Sequence, residues 1–335
     1  MDGGESVAIA TVAGPRPRVV IHDPIPGGWS WASETEILAQ RGVDLVVPTD
    51  GAAATEAIRT ADAVIVTGMD RLDASRVASL ERCIGILCYS IGMDKVDGAA
   101  AAARNIPVRN VPDYCTDEVS DHALALLLAA QRRLLPLATA TAAGGWPVGD
   151  RAITGSIRRL RGQTLGVIGA GRIGRLVARK ARAFGFRTIA HDPFIAASGD
   201  PELVLVELDL LLATSDAIVL CAAYTPGTPP LISAQTLDLV RPGLILVNVA
   251  RGGLIDEFAL ADALLDGRVA VAALDVRVTE PTDRADDPLA GLRNVILTPH
   301  VAATSRDATD DLHRLAAESI LELLEAGGRI PATVA

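Results

Sequence analysis

A glycine-rich turn between residues 169 and 174 constrains this chain more than any other feature. A short apolar run, Leu165 to Ile168, precedes Gly169-x-Gly171-x-x-Gly174, and a helical pattern follows. The first glycine allows a tight turn, the second lets a pyrophosphate approach bare backbone, and the third lets helix and strand pack closely. The helix N-terminus then presents free N–H groups and a positive dipole end to the phosphates. The sequence therefore predicts a dinucleotide site made of Gly169, Ala170, Gly171, Arg172, Ile173 and Gly174.

The residue after the next strand indicates which dinucleotide is bound. Gly185 ends the predicted helix, residues 187–191 have the pattern of a strand, and Asp192 follows 18 positions after Gly174. An acid about twenty residues beyond such a turn accepts hydrogen bonds from the ribose hydroxyls. Because its charge repels a 2′-phosphate, Asp192 favours NAD(H) over NADP(H). A strand–turn–helix without any ligand is the alternative interpretation of the turn taken alone.

Composition limits the class of protein and its partners. The chain has 335 residues, 50% of them hydrophobic and 3% aromatic, so two domains with aliphatic cores are expected. The formal charge of −10 argues against nucleic acid and acidic membrane surfaces as partners, so an anionic substrate would need a local cationic site.

The four cysteines lack C-x-x-C or metal-site spacing, which predicts reduced thiols, no metal site and a cytoplasmic protein. No uncharged run reaches membrane-spanning length, so we expect no membrane span.

Apolar strands alternate with alanine-rich helical segments along most of the chain. This alternation predicts parallel sheets covered by helices on both faces. Thr116 is expected to cap a helix that ends at Pro136, residues 144–162 to form a loop, and Ser305 to cap the last helix. The other strands are expected at residues 18–21, 43–47, 63–67, 84–88, 106–108, 217–220, 244–247, 269–274 and 295–297.

Three polar residues follow predicted strands, at the sheet edge where open α/β folds bind ligands. Arg251 follows one strand, Glu280 lies beyond the end of the next, and His300 follows a third. A guanidinium can hold a carboxylate with two hydrogen bonds and polarise a neighbouring carbonyl. An imidazolium can give an alkoxide its proton, and a carboxylate behind it supports the charged form. Arg251, Glu280 and His300 are therefore the candidate catalytic residues for reduction of a 2-oxo acid.

These motifs together resemble those of the D-isomer-specific 2-hydroxyacid dehydrogenases, over roughly residues 18–326. The resemblance implies that Arg251 anchors the substrate, that Glu280 pairs with His300, and that His300 is the acid/base. It also implies that the backbone N–H groups of Ser90, Ile91 and Gly92 bind the substrate carboxylate, and that Ala250 and Asp275 contact the cofactor. The stretches that carry it are GAGRIG with Asp192, Ala250-Arg251-Gly252-Gly253, Asp275-Val276 with Glu280-Pro281, and Thr298-Pro299-His300.

The resemblance further implies an architecture of two Rossmann-like or flavodoxin-like doubly wound parallel-sheet domains with a cleft between them. The substrate domain is expected to be discontinuous, residues 1–113 plus 302–335, with an NAD-binding Rossmann domain at residues 114–301. The helix after Asn110-Val111-Pro112 and its neighbours usually form a dimer interface, so a homodimer is expected. Within the family, residues 110–116 look similar to the branch with C-terminal-binding proteins and phosphoglycerate dehydrogenase-like members.

Three departures from the family pattern leave the substrate open. Ala303 stands where this branch often has Trp, Ser90 where the loop usually begins with Gly, and Cys88 where relatives often carry a basic residue. We predict an NAD-dependent oxidoreductase that transfers a hydride between nicotinamide and a small anionic D-2-hydroxy acid or its 2-oxo form. The alternative is an NAD(H)-sensing interaction protein of the corepressor type with little turnover. The remaining histidines are expected to be structural or solvated: His22, His122, His191 and His313.

Overall fold

The computed structural model describes residues 15–25, 29–225, 227–281 and 286–332, which form two compact α/β units. The first unit contains the chain up to Val111 and again from Asp310, and the second runs from Pro112 to Thr309. Each unit has its own sheet, and all strand pairs in both sheets are parallel. The prediction of two doubly wound parallel-sheet α/β domains is therefore confirmed.

Five parallel strands form the sheet of the first unit. They are β1 (Arg18–Ile21), β2 (Asp44–Val46), β3 (Ala63–Val66), β4 (Gly85–Cys88) and β5 (Val108–Arg109). Their order across the sheet is β2-β1-β3-β4-β5. Strands β3 and β4 are fully buried, and β1 is buried beyond its first residue. Such continuous apolar runs are expected where helices cover both faces of a parallel sheet.

Three helices of the first unit begin after an aspartate cap, whereas the first helix has no side-chain cap. The helices of this unit are α1 (Ala32–Gln40), α2 (Gly51–Arg59), α3 (Ala74–Ser79), α4 (Gly98–Ala103) and the part of the last helix, Arg306–Ala326, that follows Asp310. Asp50, Asp73 and Asp97 precede α2, α3 and α4, and each carboxylate accepts a backbone N–H at 2.8–2.9 Å. Ser305 caps the last helix as predicted, because its hydroxyl accepts the Ala308 N–H at 2.8 Å.

A buried histidine lies at the carboxyl end of β1. His22 is 3% exposed, and neither of its ring nitrogens has a partner in the described part of the chain. Burial lowers its pKa from the ordinary value of 6.5, although the charges of Asp23 and Asp70 oppose this shift. The ring is therefore held neutral in the fold. His22 was expected to be either structural or solvated, and its burial favours the structural role.

Replacing His22 by Leu should flatten the pH dependence of stability below pH 6.5. As the pH falls, His22 is protonated in the unfolded chain at a higher pH than in the folded chain. The free energy of unfolding is therefore highest above pH 6.5 and decreases below it. An apolar residue of similar size removes that proton uptake and leaves no buried unpaired nitrogen. Thermal unfolding between pH 7.5 and 5.0 measures the effect, with His191→Gln as the control. Parallel curves for His22→Leu and wild type would contradict the assignment.

Seven parallel strands form the sheet of the second unit. They are β6 (Thr164–Ile168), β7 (Arg187–His191), β8 (Val204–Leu205), β9 (Ala217–Leu220), β10 (Leu244–Asn248), β11 (Val269–Leu274) and β12 (Val295–Leu297). Their order is β12-β11-β10-β9-β6-β7-β8. Strands β7 and β8 therefore lie on one side of β6, and the strands that follow, β9 to β12, lie on the other side. Open α/β sheets bind ligands at such a reversal, outside the carboxyl ends of the strands.

The described part of the second unit contains seven α-helices, and three local predictions about this unit were wrong. The helices are α5 (Thr116–Gln131), α6 (Leu134–Ala142), α7 (Arg151–Thr154), α8 (Arg172–Ala183), α9 (Leu208–Thr214), α10 (Ala234–Leu237) and α11 (Glu257–Asp266). Thr116 does not cap α5 but is its first residue. Pro136 does not end α5, because the left-handed Arg133 (φ 52°) already separates α5 from α6. Pro136 then occupies the first turn of α6, where its missing N–H breaks no helical bond. Residues 144–162 are not a simple loop, since they include α7 and a 3₁₀ turn at Pro147–Gly149.

None of the helices in the described ranges is, by itself, long and apolar enough to cross a membrane. Helices α5 and α6 meet the length and composition criteria only as a pair, across a bend of 67°. Helix α5 buries eight of its side chains within the structure, as the central helix of a domain does.

Candidate functional site

The glycine-rich turn lies at the carboxyl end of β6, where the strand order reverses. Gly169 has a φ of +94°, and a Cβ there would lie 2.5 Å from the Cα of Ala222. A Cβ on Gly174 would lie 2.0 Å from the carbonyl oxygen of Gly169, so α8 packs directly on the turn. Around Gly171, by contrast, a Cβ would meet no atom within 4 Å beyond its chain neighbours. The space beside Gly171 is therefore open to a ligand, as a pyrophosphate requires.

The first turn of α8 and Asp192 complete this end of the sheet. Arg172 and Ile173 open α8, so their N–H groups have no partner within the helix. The Arg172 side chain forms an exposed ion pair with Asp113 at 2.8 Å. One oxygen of Asp192 accepts the Ala170 N–H at 2.9 Å, which places the carboxylate beside the glycine-rich turn. The structure thus brings together the predicted cofactor residues 169–174 and Asp192.

Arg251 lies in a tight bend after β10. The side chain of the buried Asn248 holds the bend, donating from Nδ2 to the Arg251 carbonyl at 2.9 Å and accepting the Ala250 N–H at 3.0 Å. The guanidinium donates to the Ala250 carbonyl at 2.8 Å. A Cβ on Gly252 would lie 1.9 Å from the carbonyl carbon of Arg277. Only glycine therefore lets this bend pack against the Arg277 segment.

His300 and Glu280 form a hydrogen-bonded pair. Nδ1 of His300 lies 2.7 Å from Oε2 of Glu280, and Oε1 of Glu280 accepts the Arg277 N–H at 2.7 Å. His300 has a φ of 54°, a left-handed conformation that His adopts more readily than most residues. Its side chain is 47% exposed, and its Nε2 has no partner within the described ranges. Because Glu280 occupies Nδ1, Nε2 is the nitrogen that can exchange a proton with a ligand.

The surroundings of Glu280 favour its charged form. Burial alone would raise its pKa, but hydrogen bonds from His300 and the Arg277 backbone outweigh burial. The positive charges of His300 and Arg251 act in the same direction, so the pKa of Glu280 falls below its ordinary value of 4.5. Glu280 is therefore ionised throughout the neutral range. An ionised carboxylate at this distance supports a protonated imidazole.

Asp275 supports the segment that carries His300. Its side chain is fully buried; Oδ1 accepts the Thr298 hydroxyl at 2.5 Å and the Val301 N–H at 3.0 Å, and Oδ2 accepts the Ala302 N–H at 2.9 Å. The backbone carbonyl of Asp275 also accepts the His300 N–H at 2.8 Å. The structure thus places Asp275 directly behind His300. Contact between Asp275 and a nicotinamide carboxamide stays a prediction.

Sequence analysis missed the residues that share this buried network. Nε2 of His122, on α5, lies 3.1 Å from the Thr298 hydroxyl and 3.4 Å from Oδ1 of Asp275. His122 comes from a helix 176 positions earlier in the chain, so no local pattern pairs it with Thr298. Asn248 was likewise missed, although a buried polar residue at the end of an apolar strand is a signal that could have identified it.

The predicted substrate loop, in the first unit, has backbone N–H groups free to bind an anion. Its carbonyl oxygens are occupied: that of Ser90 accepts the Val111 N–H at 3.1 Å, and that of Ile91 accepts Nδ2 of Asn110 at 2.7 Å. The carbonyl of Gly92 accepts the Ser90 hydroxyl at 2.9 Å. The N–H groups of Ile91 and Gly92 find no acceptor among the residues that the structure describes. Successive free N–H groups form anion-binding concavities, and we call this pair the carboxylate nest.

Comparison with known proteins finds relatives that match most of the chain. Residues 124–302 match the family model "D-isomer specific 2-hydroxyacid dehydrogenase, NAD binding domain". The D-3-phosphoglycerate dehydrogenase of Mycobacterium leprae is 40% identical over 280 residues, which cover 83% of this chain and 52% of that protein. This chain thus spans about half the length of that relative. The glyoxylate reductase of Thermococcus gammatolerans is 34% identical over 284 residues, covering 83% of this chain and 84% of that protein.

The solved structures agree with the sequence comparison. A glyoxylate reductase from Paecilomyes thermophila superposes with a TM-score of 0.84 at 28% identity, covering 94% of this chain and 97% of that chain. The residues that match the family model include the glycine-rich turn, Asp192, Arg251, Glu280 and His300. The cofactor is accordingly NAD(H). The chain belongs to the D-isomer specific 2-hydroxyacid dehydrogenase family.

Proposed function

We propose that the protein is an NAD-dependent D-2-hydroxyacid dehydrogenase, which transfers a hydride between nicotinamide and carbon 2 of a D-2-hydroxy acid or its 2-oxo form. The observation that carries this proposal is the 2.7 Å contact between Nδ1 of His300 and the ionised Glu280. It leaves Nε2 for proton transfer, in a unit that also carries the NAD-binding turn. NAD(H), when bound, supplies or accepts the hydride.

The proposal assigns a separate task to each side chain. In reduction, protonated His300 donates from Nε2 to the carbonyl oxygen as that oxygen becomes an alkoxide; in oxidation, neutral His300 removes the hydroxyl proton. Glu280 holds the ring by Nδ1 and balances its positive charge. The Arg251 guanidinium binds the substrate carboxylate and polarises the adjacent carbonyl. The N–H groups of Ile91 and Gly92, with Ser90 in the same loop, bind carboxylate oxygens.

The cofactor is proposed to lie against residues 169–174. The open space beside Gly171 accommodates a pyrophosphate, and the free N–H groups of Arg172 and Ile173 suit its charge. Asp192 would accept hydrogen bonds from the ribose hydroxyls and repel a 2′-phosphate. Ala250 and Asp275 are assigned to the nicotinamide end of the site.

The substrate is proposed to be a small 2-oxo acid without a phosphate group. Cys88 ends β4 just before the substrate loop, is 2% exposed and offers no positive charge. Burial, with the charges of Asp94 and Asp23, raises the pKa of its thiol to about 12, so it stays neutral. A phosphorylated substrate would need cations that Cys88 does not supply.

The test is NADH oxidation with a panel of 2-oxo acids graded in size and charge, from glyoxylate to phosphorylated acids. Turnover that His300→Asn abolishes would support the assignment, because Asn fits a left-handed backbone but cannot act as the acid. Tight NADH binding without turnover of any 2-oxo acid would contradict it and favour a nucleotide-sensing role.

We also propose a cytoplasmic homodimer. All four cysteines are free thiols, which is typical of a reducing compartment. Helix α6 buries none of its residues, and the segment that follows it exposes large apolar side chains. These form an apolar arm on the second unit, with Leu134 57%, Leu135 43%, Trp146 81% and Val148 79% exposed. Contiguous apolar surface of this kind is typical of a protein–protein interface.

Charged substitutions in the apolar arm should give a monomer. Leu134→Glu combined with Trp146→Glu is expected to reduce the solution mass from twice 34.8 kDa to 34.8 kDa, since buried carboxylates oppose association. Analytical ultracentrifugation measures the mass. Phe258→Glu, on α11 and 70% exposed, is the matched control and should stay dimeric. A dimer that survives both arm substitutions would exclude this face as the interface.

A further inference from the structure

A buried polar cluster lies in the first unit, next to the substrate loop. Glu34 comes from α1, Tyr89 follows β4, and His313 comes from the last helix. The Glu34 carboxylate is fully buried; its Oε1 accepts the Tyr89 hydroxyl and lies 2.6 Å from Nδ1 of His313. The Tyr89 oxygen lies 2.8 Å from the same nitrogen. We call Glu34, Tyr89 and His313 the anchor cluster.

Two tryptophans cover the anchor cluster. The ring of Trp29 lies 5.4 Å from that of His313, and the ring of Trp31 lies 5.1 Å from that of Tyr89. The chain has only three Trp, three Tyr and four Phe, so three of its ten aromatic residues meet at this place. Elsewhere the core of this unit is built from Ala, Val, Leu, Ile and Cys.

The anchor cluster is not the arrangement that stability alone would favour. A buried carboxylate requires hydrogen bonds to offset its desolvation, and apolar residues of the same volume often stabilise a core as well or better. Moreover, Oε2 of Glu34 and Nε1 of Trp29 are buried and have no partner in the described part of the chain. A buried polar group left unpaired calls for a functional explanation.

Tyr89 connects the anchor cluster to the carboxylate nest. It is 3% exposed, and its N–H donates to the Val66 carbonyl at 2.8 Å, at the end of β3. The carbonyls of the next three residues, 90–92, accept hydrogen bonds, whereas the N–H groups of Ile91 and Gly92 have no acceptor among the described residues. The position of these N–H groups therefore depends on where the preceding residue is held.

We propose that Glu34 and His313, acting through the Tyr89 hydroxyl, are positioning residues that hold the carboxylate nest in place for the substrate carboxylate. This inference rests on the proposed function, since it concerns the same substrate. It predicts that the anchor cluster controls affinity for the 2-oxo acid. The cofactor site and the acid/base pair, which belong to the second unit, are independent of the anchor cluster.

Tyr89→Phe and Glu34→Gln test the inference, because each keeps side-chain size and alters the hydrogen bonds. The KM for the 2-oxo acid should rise about tenfold, as expected for loss of a hydrogen bond to a charged group. The value of kcat should change less than threefold, and the Kd for NADH should not change. Thr35→Val is the control, since the Thr35 hydroxyl lies on α1 and donates to the Trp31 carbonyl at 2.7 Å, outside the anchor cluster. It should leave the KM unchanged.

Binding of oxalate, a planar dicarboxylate, provides a readout that does not depend on turnover. In a Trp146→Phe background the remaining tryptophans are Trp29 and Trp31, both beside the anchor cluster. Their fluorescence should respond to oxalate in the NADH complex, with a Kd about tenfold higher in Tyr89→Phe.

The outcomes separate this inference from the proposed function. Unchanged KM and oxalate Kd in both variants would overturn the positioning role, even if thermal stability fell. A rise in the NADH Kd as large as the rise in KM would also overturn it, because the effect would then be general. A wild-type protein that neither binds oxalate nor reduces any 2-oxo acid would overturn the proposed function, and the inference with it.

Discussion

Replacing His300 by Asn is expected to lower kcat for 2-oxo acid reduction by about 10²–10⁴-fold, the usual contribution of a general acid. The loss should be largely chemical. Asn tolerates the left-handed backbone at this position, where φ is 54°, and the side chain is 47% exposed, so its replacement leaves no cavity. Steady-state NADH oxidation measures kcat. The NADH Kd and the thermal midpoint should match those of the wild type, because the His300 side chain is half-exposed and hydrogen-bonds Glu280.

The partner of His300 refines this prediction. Glu280→Gln keeps the shape of the side chain and removes the negative charge that balances an imidazolium, so a smaller loss than that of His300→Asn is expected. Because Glu280 acts only through His300 in this scheme, adding Glu280→Gln to His300→Asn should cost little more. A His300→Asn enzyme that keeps kcat within tenfold of wild type would show that another group supplies the proton. Additive losses in the double variant would show that Glu280 acts independently.

Features encoded by short stretches of sequence could be predicted. The strands β1, β9, β11 and β12 have the predicted bounds, because a buried parallel strand is a continuous apolar run. The glycine-rich turn could also be predicted, since its glycines are required by local sterics. A Cβ would lie 2.5 Å from the Ala222 Cα at Gly169 and 2.0 Å from the Gly169 carbonyl oxygen at Gly174.

Features that depend on distant residues could not be predicted. The end of α5 and the start of α6 are set by Arg133, which is left-handed although arginine has no intrinsic preference for that conformation. Glu34 and His313 meet 279 positions apart, and His122 meets Thr298 176 positions apart. Tertiary packing alone creates such pairs. Packing also brings the Asp275 carboxylate to the backbone N–H groups of residues 301 and 302, while its contact with the cofactor stays a prediction.

In the glycine-rich turn, two Gly→Ala substitutions should distinguish an effect on NADH binding from an effect on folding. Gly171→Ala should raise the NADH Kd at least about tenfold, or ~1.4 kcal/mol, because the added Cβ enters the space assigned to the pyrophosphate. The same change should leave stability within about 0.5 kcal/mol of wild type, since φ at Gly171 is −72° and a Cβ meets no atom within 4 Å beyond its chain neighbours. NADH titration and denaturant unfolding measure the two quantities.

Gly174→Ala should behave differently, although it lies only three residues away. Its Cβ would lie 2.0 Å from the Gly169 carbonyl oxygen, a backbone atom that cannot move without displacing α8 from β6. A loss of about 3 kcal/mol or more in unfolding free energy is expected, together with loss of NADH binding. Gly98→Ala, at an open position on α4, should change neither quantity. If Gly171→Ala binds NADH as tightly as the wild type does, the pyrophosphate does not lie against Gly171, and the cofactor assignment of residues 169–174 fails.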